Sequence, residues 1–425
     1  RNDSMVDLIL IFLLCIGNQI YVDLIGHLSV SDLFIIGFGI VYVLVNRGLG
    51  KFANDKEIRL VTKLFALLLL IQVVTEVVVG NAMMNAAKGL AVTGLTYMKF
   101  LFVLGFLYRS HHNLLIFLIC TFISNILFFA SNDAFGLGEM DVSMEEMAQG
   151  EGDAMAYFKF KICPLINSGL VILTLVLRRG HFSIAFIVVG LLCVLLGARS
   201  GGMVMVGAGV LTLLLKVKLR FTKWRVLLGV VLGVLLFNWA YRKYVDSVLE
   251  GDIASGNSKA QLQRMDDPYN PLGLLVFGRT ETFVGGVAMV EKPWTGWGAW
   301  AEDPNWQYNF LANYLQDARI TRYKLLNTKI PTHSILVGYG VANGVFAMLA
   351  VLAILFFFLR KGFVALRSKD IHMYLMATCL MAVVWDSLFS PISTMRYLFA
   401  YYFAYMYYVY KCSKNPYYMK LYAKE

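Results

Sequence analysis

The sequence predicts an all-α polytopic membrane protein with about twelve transmembrane helices, and three observations support this class: composition, recurring apolar runs and the placement of charge. Hydrophobic residues make up 59% of the 425 residues and charged residues only 15%, whereas soluble domains are about 25% charged. Mean hydropathy is +0.65. This composition excludes an ordinary soluble enzyme and leaves membrane enzymes, transporters and membrane scaffolds to be separated.

Apolar runs near the roughly 20 residues that span a bilayer recur along almost the whole chain. They fall at about 5–22, 28–46, 60–80, 86–108, 113–130, 162–178, 181–198, 201–216, 225–242, 334–359, 372–390 and 395–411. The first run is preceded by Asn2 and Asp3 and followed by no small-residue cleavage pattern. We therefore expect a retained helix and not a signal peptide.

Lysine and arginine orient these helices, because short basic loops stay on the cytoplasmic side of a membrane. The basic residues concentrate in alternate loops and in the tail: Arg47, Lys51, Lys56, Arg59, Arg178, Arg179, Lys216, Lys218, Arg220, Lys223, Arg225, Arg360, Lys361, Arg367, Lys369, Lys411, Lys414, Lys420 and Lys424. With alternating helices, both termini are predicted to be cytoplasmic. The net charge of +11 then reflects topology, and no nucleic-acid partner is expected.

The longest polar segments fall on the opposite face of this topology. Residues 131–161 form an acidic loop, and residues 243–333 form the longest polar stretch. We divide the chain into 1–242, with transmembrane helices 1–9 and the acidic loop; 243–333, a large external loop with short helices; and 334–425, with helices 10–12 and a basic cytoplasmic tail. The sequence shows no internal repeat.

Cysteine and histidine patterns predict neither a disulfide framework nor a metal centre. Four cysteines lie inside apolar runs, Cys412 is predicted to be cytoplasmic, and only Cys163 approaches the outer surface. Among the six histidines, only His27 and His333 are predicted to face the outside, and no histidine or cysteine pair has ligand spacing. We expect no metal and no other cofactor.

Two arginines lie at predicted external helix boundaries. Arg199 is in Gly-Ala-Arg-Ser-Gly-Gly, where small residues let a ligand approach the backbone; the alternative is that it snorkels to the headgroups. Arg279 precedes an apolar stretch that ends at Lys292 and Pro293, so we expect it in the first turn of a short helix. A cation there opposes the helix dipole unless an anion binds, and pairing with Glu281 is the alternative.

His333 occupies the point where the long external loop re-enters the membrane. Pro331 precedes it, and Ser334 is predicted to begin an apolar helix. A neutral imidazole at this boundary accepts a proton from a sugar hydroxyl near neutral pH, whereas helix-end hydrogen bonding is the alternative. Arg396, at the last external turn, is a further candidate anion contact, and Asp386 is its expected structural partner.

Other polar and aromatic residues have two interpretations. Trp294, Trp297 and Trp300 crowd the long loop, where they either stack on sugar faces or anchor the loop at the bilayer interface. Glu76 and Lys99 are the candidate intramembrane charges, and we expect both near helix ends.

In chain order, Gly-Ala-Arg-Ser-Gly-Gly, Gly-Arg, Pro-Trp-Thr-Gly-Trp-Gly, and His-Ser with Gly344 ten residues beyond Ser334 resemble the O-antigen ligase and O-antigen polymerase superfamily over about residues 190–360. The resemblance implies a membrane-embedded glycosyltransferase of the C type (GT-C) in the bacterial inner membrane, with a periplasmic loop that roofs the active site. It also implies metal-independent glycan transfer from undecaprenyl diphosphate.

The resemblance assigns roles to the candidate residues. Arg199 and Arg279 would hold the diphosphate, with Arg396 as a further contact, and His333 would assist the acceptor hydroxyl. The partners implied are the undecaprenyl-diphosphate-linked glycan donor, a glycan or lipid A–core acceptor, membrane lipids and a chain-length regulator protein.

Two departures from the family patterns bear on which branch the chain resembles. The run from His333 ends in Ala347, where ligases have Gly, Thr or Tyr, and Arg199 reaches Gly209 one residue short of the polymerase spacing. We expect a polymerase of O-antigen or similar repeat units, with an O-antigen ligase that joins the glycan to lipid A–core as the alternative. A polysaccharide or lipid transporter is a further alternative, for which repeats and broken midplane helices are typical.

Overall fold

The computed structural model describes residues 2–23, 27–45, 52, 54–128, 158–178, 181–216, 223–251, 259, 262–263, 265, 267–315, 328–368 and 371–415. These residues are almost entirely helical, which confirms the predicted all-α class. Within the described ranges four helices are long and apolar enough to cross a membrane, and several shorter apolar helices accompany them. The count of twelve spans and their orientation stay predictions.

The helices, in chain order, are α1 (Asn2–Gly17), α2 (Val30–Val45), α3 (Lys56–Val79), α4 (Met83–Leu107), α5 (Asn113–Leu127), α6 (Cys163–Leu177), α7 (Ser183–Leu195), α8 (Arg199–Lys216), α9 (Lys223–Glu250), α10 (Pro271–Gly278), α11 (Thr280–Glu291), α12 (Gln307–Leu315), α13 (Ile335–Arg367), α14 (Met373–Phe389) and α15 (Ala400–Lys414). Strands β1 (Tyr21–Asp23) and β2 (His27–Ser29) pair antiparallel. Short π-helical turns (Phe158–Ile162 and Met395–Phe399) precede α6 and α15, and a 3-10 turn (Pro304–Trp306) precedes α12.

Several predicted boundaries need correction. The first run was expected to continue to residue 22, but α1 ends at Gly17 and the chain forms the β1–β2 hairpin before α2. The ninth span was expected to end at 242, but α9 continues to Glu250. Val245 and Val248 of this extension, with Tyr241 just before it, pack with Leu262 in a small separate core, and burial of these apolar side chains stabilises the added turns.

One end of the bundle is held together by ion pairs between the first turn of α3 and two later helices. Lys411 Nζ lies 3.0 Å from an Asp55 carboxylate oxygen and 2.9 Å from one of Glu57, and Lys361 also pairs with Glu57. Asp55 caps α3 by accepting hydrogen bonds from the backbone amides of Glu57 and Ile58. These residues all come from segments predicted to be cytoplasmic.

Lys99 departs from the sequence expectation. It lies in the second half of α4 and not near an end, and its ammonium is fully buried 2.9 Å from Asp32 Oδ1. Lys99 also donates to Asn18 Oδ1 at 3.1 Å. Glu76 does lie in the last turn of α3, as expected. A fully buried lysine is stable here because an opposite charge and a hydrogen-bond acceptor compensate its desolvation.

Helices α8 and α14 pack side by side in opposite directions. Gly207 of α8 faces Met381 of α14, where an added Cβ would collide with the methionine side chain. At one end, Lys216 and Ser183 bond to the Tyr374 hydroxyl, with the Ser183 contact at 3.2 Å. Since the helices are antiparallel, the first residue of α8 and the last turn of α14 both lie toward the opposite end.

Candidate functional site

Arg279 immediately precedes α11, whereas we predicted it in the first turn of this helix, so the prediction is one position off. Its Nη1 donates to the backbone oxygen of Phe389 at 3.3 Å, and the guanidinium lies 5.4 Å from the Phe389 ring centroid. Phe389 is the last residue of α14, where the negative end of the helix dipole favours a cation. Arg279 also interacts electrostatically with Asp386, one turn earlier on α14. Arg279 is therefore anchored where two helix ends meet.

His333 lies beside the first turn of α11. Its Nδ1 is 3.4 Å from Glu281 Oε2, and its side chain is 42% exposed. The Thr282 hydroxyl donates to the backbone oxygen of His333 at 3.2 Å. Glu281, offered from sequence as a partner for Arg279, contacts His333. The first turn of α11 thus joins the predicted phosphate-binding arginine to the predicted base.

Ser334 begins α13, as the sequence predicts. Its hydroxyl accepts from the Val337 amide at 3.3 Å and donates to the Ser387 backbone oxygen at 3.1 Å, which ties the start of α13 to the end of α14. Gly285 of α11 packs on the segment before α13, since an added Cβ would lie 3.3 Å from the Pro331 oxygen. Three helix ends therefore form one site around Arg279 and His333.

Arg199 is the first residue of α8, so the antiparallel packing places it at the same end of the bundle as Arg279. It interacts electrostatically with Tyr241 of α9. The glycines after it need a different explanation from the one the sequence suggested. An added Cβ would lie 2.7 Å from Cys163 Sγ at Gly201 and 2.6 Å from the Gly190 oxygen at Gly202, so these glycines permit helix packing and not ligand approach.

Arg396 belongs to a different network. It is buried in the π-helical turn before α15, with its Nε 3.5 Å from Asp32 Oδ2 and its guanidinium stacked 4.4 Å from the Tyr397 ring centroid. Asp32 also pairs with Lys99. The prediction that Asp386 is the partner of Arg396 is wrong: the partner is Asp32, and Asp386 accepts a hydrogen bond from Ser390 at 2.8 Å.

The Pro-Trp-Thr-Gly-Trp-Gly motif fills a break in α13 that we did not predict. The helix is interrupted at Asn343 and Gly344, where Gly344 has φ +79° and ψ 179°. The backbone groups released by the break bond to the motif: Trp297 N to Val341 O at 2.7 Å, Gly298 N to Ala342 O at 2.8 Å and Val345 N to Pro293 O at 2.7 Å. Buried backbone groups require such partners in an apolar setting.

A buried polar cluster holds the break against α3. The Asn343 side chain donates to Thr75 Oγ1 and to Glu76 Oε1, each at 2.9 Å. Glu76 Oε1 also accepts from the Ala299 amide at 2.8 Å, and Asn81 donates to the Ala299 oxygen at 2.9 Å. Glu76 therefore joins the long loop, the break in α13 and the end of α3.

The three predicted glycan-contacting tryptophans differ in their surroundings. Trp297 is packed: its Nε1 donates to Ala288 O at 2.8 Å, and its ring meets Tyr308 edge-on with centroids 5.7 Å apart. Burial and a hydrogen bond to Glu291 raise the pKa of the Tyr308 hydroxyl, so Tyr308 stays neutral. Trp294 is 65% exposed and Trp300 38% exposed, which leaves these two rings open to a glycan or to the bilayer interface.

Within the described ranges, no group of three or more His, Cys, Asp or Glu side chains is arranged to hold a metal ion. The acidic loop predicted at 131–161 lies almost wholly outside the described residues. No family model matches the chain, and no curated protein matches it. The resemblance to the O-antigen ligase and polymerase superfamily therefore rests on the motifs of this sequence.

Proposed function

We propose that the chain is a metal-independent glycosyltransferase that moves a glycan from undecaprenyl diphosphate to an acceptor sugar hydroxyl on the outer side of the bacterial inner membrane. The observation that carries the proposal is the convergence of Arg279 and His333 on the first turn of α11. Arg199 starts α8 at the same end of the bundle. This combination suits transfer from a lipid diphosphate, because the leaving group is anionic and the acceptor must lose a proton.

The chemistry is a single displacement. The acceptor hydroxyl oxygen attacks the anomeric carbon, and the bond from that carbon to the phosphate oxygen breaks, with its electron pair remaining on the diphosphate. The hydroxyl proton passes to His333. Arginine at positions 199 and 279 suits the leaving group, since a planar guanidinium forms paired hydrogen bonds to phosphate oxygens. The products are undecaprenyl diphosphate and an inverted glycosidic bond.

The distribution of charge in the bundle supports the predicted orientation. Lys361 and Lys411, both predicted to be cytoplasmic, meet at one end. Arg279 and His333, predicted to be external, meet at a site of their own where α13 begins and α14 ends. Twelve alternating helices with cytoplasmic termini would place this site on the periplasmic side, beneath the 243–333 loop.

Polymerisation of surface-polysaccharide repeat units is the branch we favour. The His333 motif departs from the ligase pattern at Ala347, and the external segment 299–330 is long. Ligation of the glycan to lipid A–core is the alternative, since both reactions use the same donor.

A transporter is the second candidate, and the break in α13 favours it, because broken helices form substrate sites in transporters. Two facts weigh against it. The break lies only about two turns from the start of a 33-residue helix, and loop backbone occupies it.

The test is the glycan phenotype of a deletion strain complemented with wild type or His333→Ala. A lost polymerase leaves lipid A–core capped with single repeats, whereas a lost ligase leaves long chains on undecaprenyl diphosphate. His333→Ala should reproduce the deletion phenotype at normal protein abundance. Donor trapped on the cytoplasmic leaflet would instead support the transporter and contradict the proposal.

A further inference from the structure

Glu281 is a charged side chain at the candidate site for which the proposed mechanism has no use. It lies in the first turn of α11, two residues after Arg279, and its Oε2 is 3.4 Å from His333 Nδ1. The Glu281 side chain is 29% exposed, so the pair is half-buried. We propose that Glu281 is the positioning residue that orients His333 for proton transfer, an inference that rests on the proposed function.

The contact selects which imidazole nitrogen faces the acceptor. When Nδ1 carries a hydrogen and points at the Glu281 carboxylate, the lone pair is on Nε2, on the opposite side of the ring from α11. That tautomer is the one a general base requires. A distance of 3.4 Å is long for a hydrogen bond, but catalytic contacts commonly tighten when substrate binds.

The backbone around His333 is fixed without help from Glu281. Thr282 Oγ1 donates to the His333 oxygen at 3.2 Å, and Ser334 Oγ donates to the Ser387 oxygen at 3.1 Å. The contact with Glu281 is made by the ring itself, at Nδ1. Glu281 therefore acts on ring orientation, and its replacement should leave the fold intact.

Glu281 also brings negative charge to a site with two positive groups. Arg279 stands at the start of the same helix turn, and His333 becomes cationic when it takes the acceptor proton. The Glu281 carboxylate, 3.4 Å from Nδ1, stabilises that cation, since opposite charges within about 4–6 Å favour an ionised group.

Among the described residues, two other charged groups on the packed elements have partners of their own. Asp386 of α14 interacts with Arg279. Lys329, four residues before His333, has its ammonium 3.6 Å from Glu302. Glu281 is thus the carboxylate that the structure places against the imidazole.

The first arm of the test uses purified full-length protein in detergent and follows turnover of an undecaprenyl-diphosphate-linked glycan from pH 5.5 to 9. Glu281→Gln should lower kcat about tenfold, less than the full general-base contribution of roughly 10²–10⁴, with an unchanged donor KM. The carboxylate favours the protonated imidazole, so its removal lets the neutral base form at lower pH. The acid limb of the profile should therefore move down by about 0.5–1 unit.

Two further variants separate positioning from a structural effect. Glu281→Asp should recover part of the rate. The matched control Glu302→Gln, in the same loop, should behave as wild type. In a His333→Ala background, Glu281→Gln should have no further effect on the residual rate. A residue that acts only through His333 cannot change the rate of a variant that lacks His333.

The second arm needs no activity. Diethyl pyrocarbonate acylates imidazole only in its neutral form, and mass spectrometry of the His333 peptide gives the rate of that acylation. Glu281→Gln should accelerate it at pH 6. Two outcomes would contradict the role of Glu281 without contradicting the proposed function. One is that Glu281→Gln has wild-type rates of both turnover and acylation. The other is that Glu281→Gln lowers turnover equally with and without His333. A wild type that never turns over the donor overturns the proposed function together with this role, even if the acylation rate shifts.

Discussion

The substitution Gly344→Ala tests the interlocking of α13 with the Pro-Trp-Thr-Gly-Trp-Gly segment. Gly344 has φ +79° and ψ 179°, a conformation that is nearly confined to glycine. An added Cβ would lie 2.6 Å from the Trp294 carbonyl carbon and 2.9 Å from the Pro293 oxygen. Both neighbours are backbone atoms, so the Pro-Trp-Thr-Gly-Trp-Gly segment must move away from α13 to accommodate the added methyl group.

The expected loss of stability has two causes, the backbone conformation at Gly344 and the displacement of the neighbouring segment. Placing a non-glycine residue in this region costs about 1–3 kcal/mol. Retreat of the segment breaks up to three backbone hydrogen bonds between the loop and α13, each with a net contribution of about 0.5–1.5 kcal/mol. Together the free energy of unfolding should fall by roughly 3–7 kcal/mol.

The assay is thermal unfolding of the purified protein in one detergent, followed by tryptophan fluorescence. A loss of this size should lower the midpoint by about 5 °C or more in a chain this long. The matched control is Gly94→Ala, in the interior of α4, where an added Cβ meets nothing within 4 Å. Alanine there should be neutral or stabilise by up to about 1 kcal/mol. Equal unfolding midpoints for the two variants would contradict the close packing of the Pro-Trp-Thr-Gly-Trp-Gly segment against α13.

Two further predictions concern the buried ion network and the orientation. Asp32→Asn leaves Lys99 and Arg396 facing each other without a carboxylate and should lower stability by about 3–5 kcal/mol, whereas Lys99→Met leaves an Asp32–Arg396 pair and should be milder. Thermal unfolding ranks the two, and the reverse order contradicts the network. The six native cysteines are buried, so an impermeant thiol reagent on spheroplasts should label a new cysteine at Asn305 but not at Ser413. Labelling only at Ser413 would reverse the orientation.

The parts of the fold that depend on local pattern were predictable. Apolar runs located most of the helices, and the change from loop to apolar sequence placed Arg279 and Ser334 at helix starts, as the structure has them. These predictions succeed because helix ends are marked by residues adjacent in sequence, such as the Ser334 hydroxyl that caps α13.

The parts that depend on distant partners were not predictable. Hydropathy shows that Lys99 lies in an apolar run, but it does not show that Asp32 and Arg396, from helices far along the chain, compensate its charge. The break at Gly344 did have a local signal that we did not use, since Asn343-Gly344 is a turn dipeptide inside an apolar run. Glu281 was considered only as a partner of Arg279, and its contact with His333 depends on a residue far along the chain.

The central claim is that Arg279 binds a lipid diphosphate without a metal. Donor-lipid turnover in the presence of a chelator tests this claim most directly. Wild type should retain its full rate. Arg279→Lys should keep on the order of a tenth to a hundredth of it, because one charge-assisted hydrogen bond, worth about 1.5–3 kcal/mol, is lost. Arg279→Ala should fall further.

The control is Arg109→Lys, since Arg109 pairs with Asp7 at 3.1 Å, away from the candidate site, and it should keep the wild-type rate. If chelator abolishes turnover by the wild type and magnesium restores it, a metal carries the diphosphate and the role given to Arg279 is contradicted.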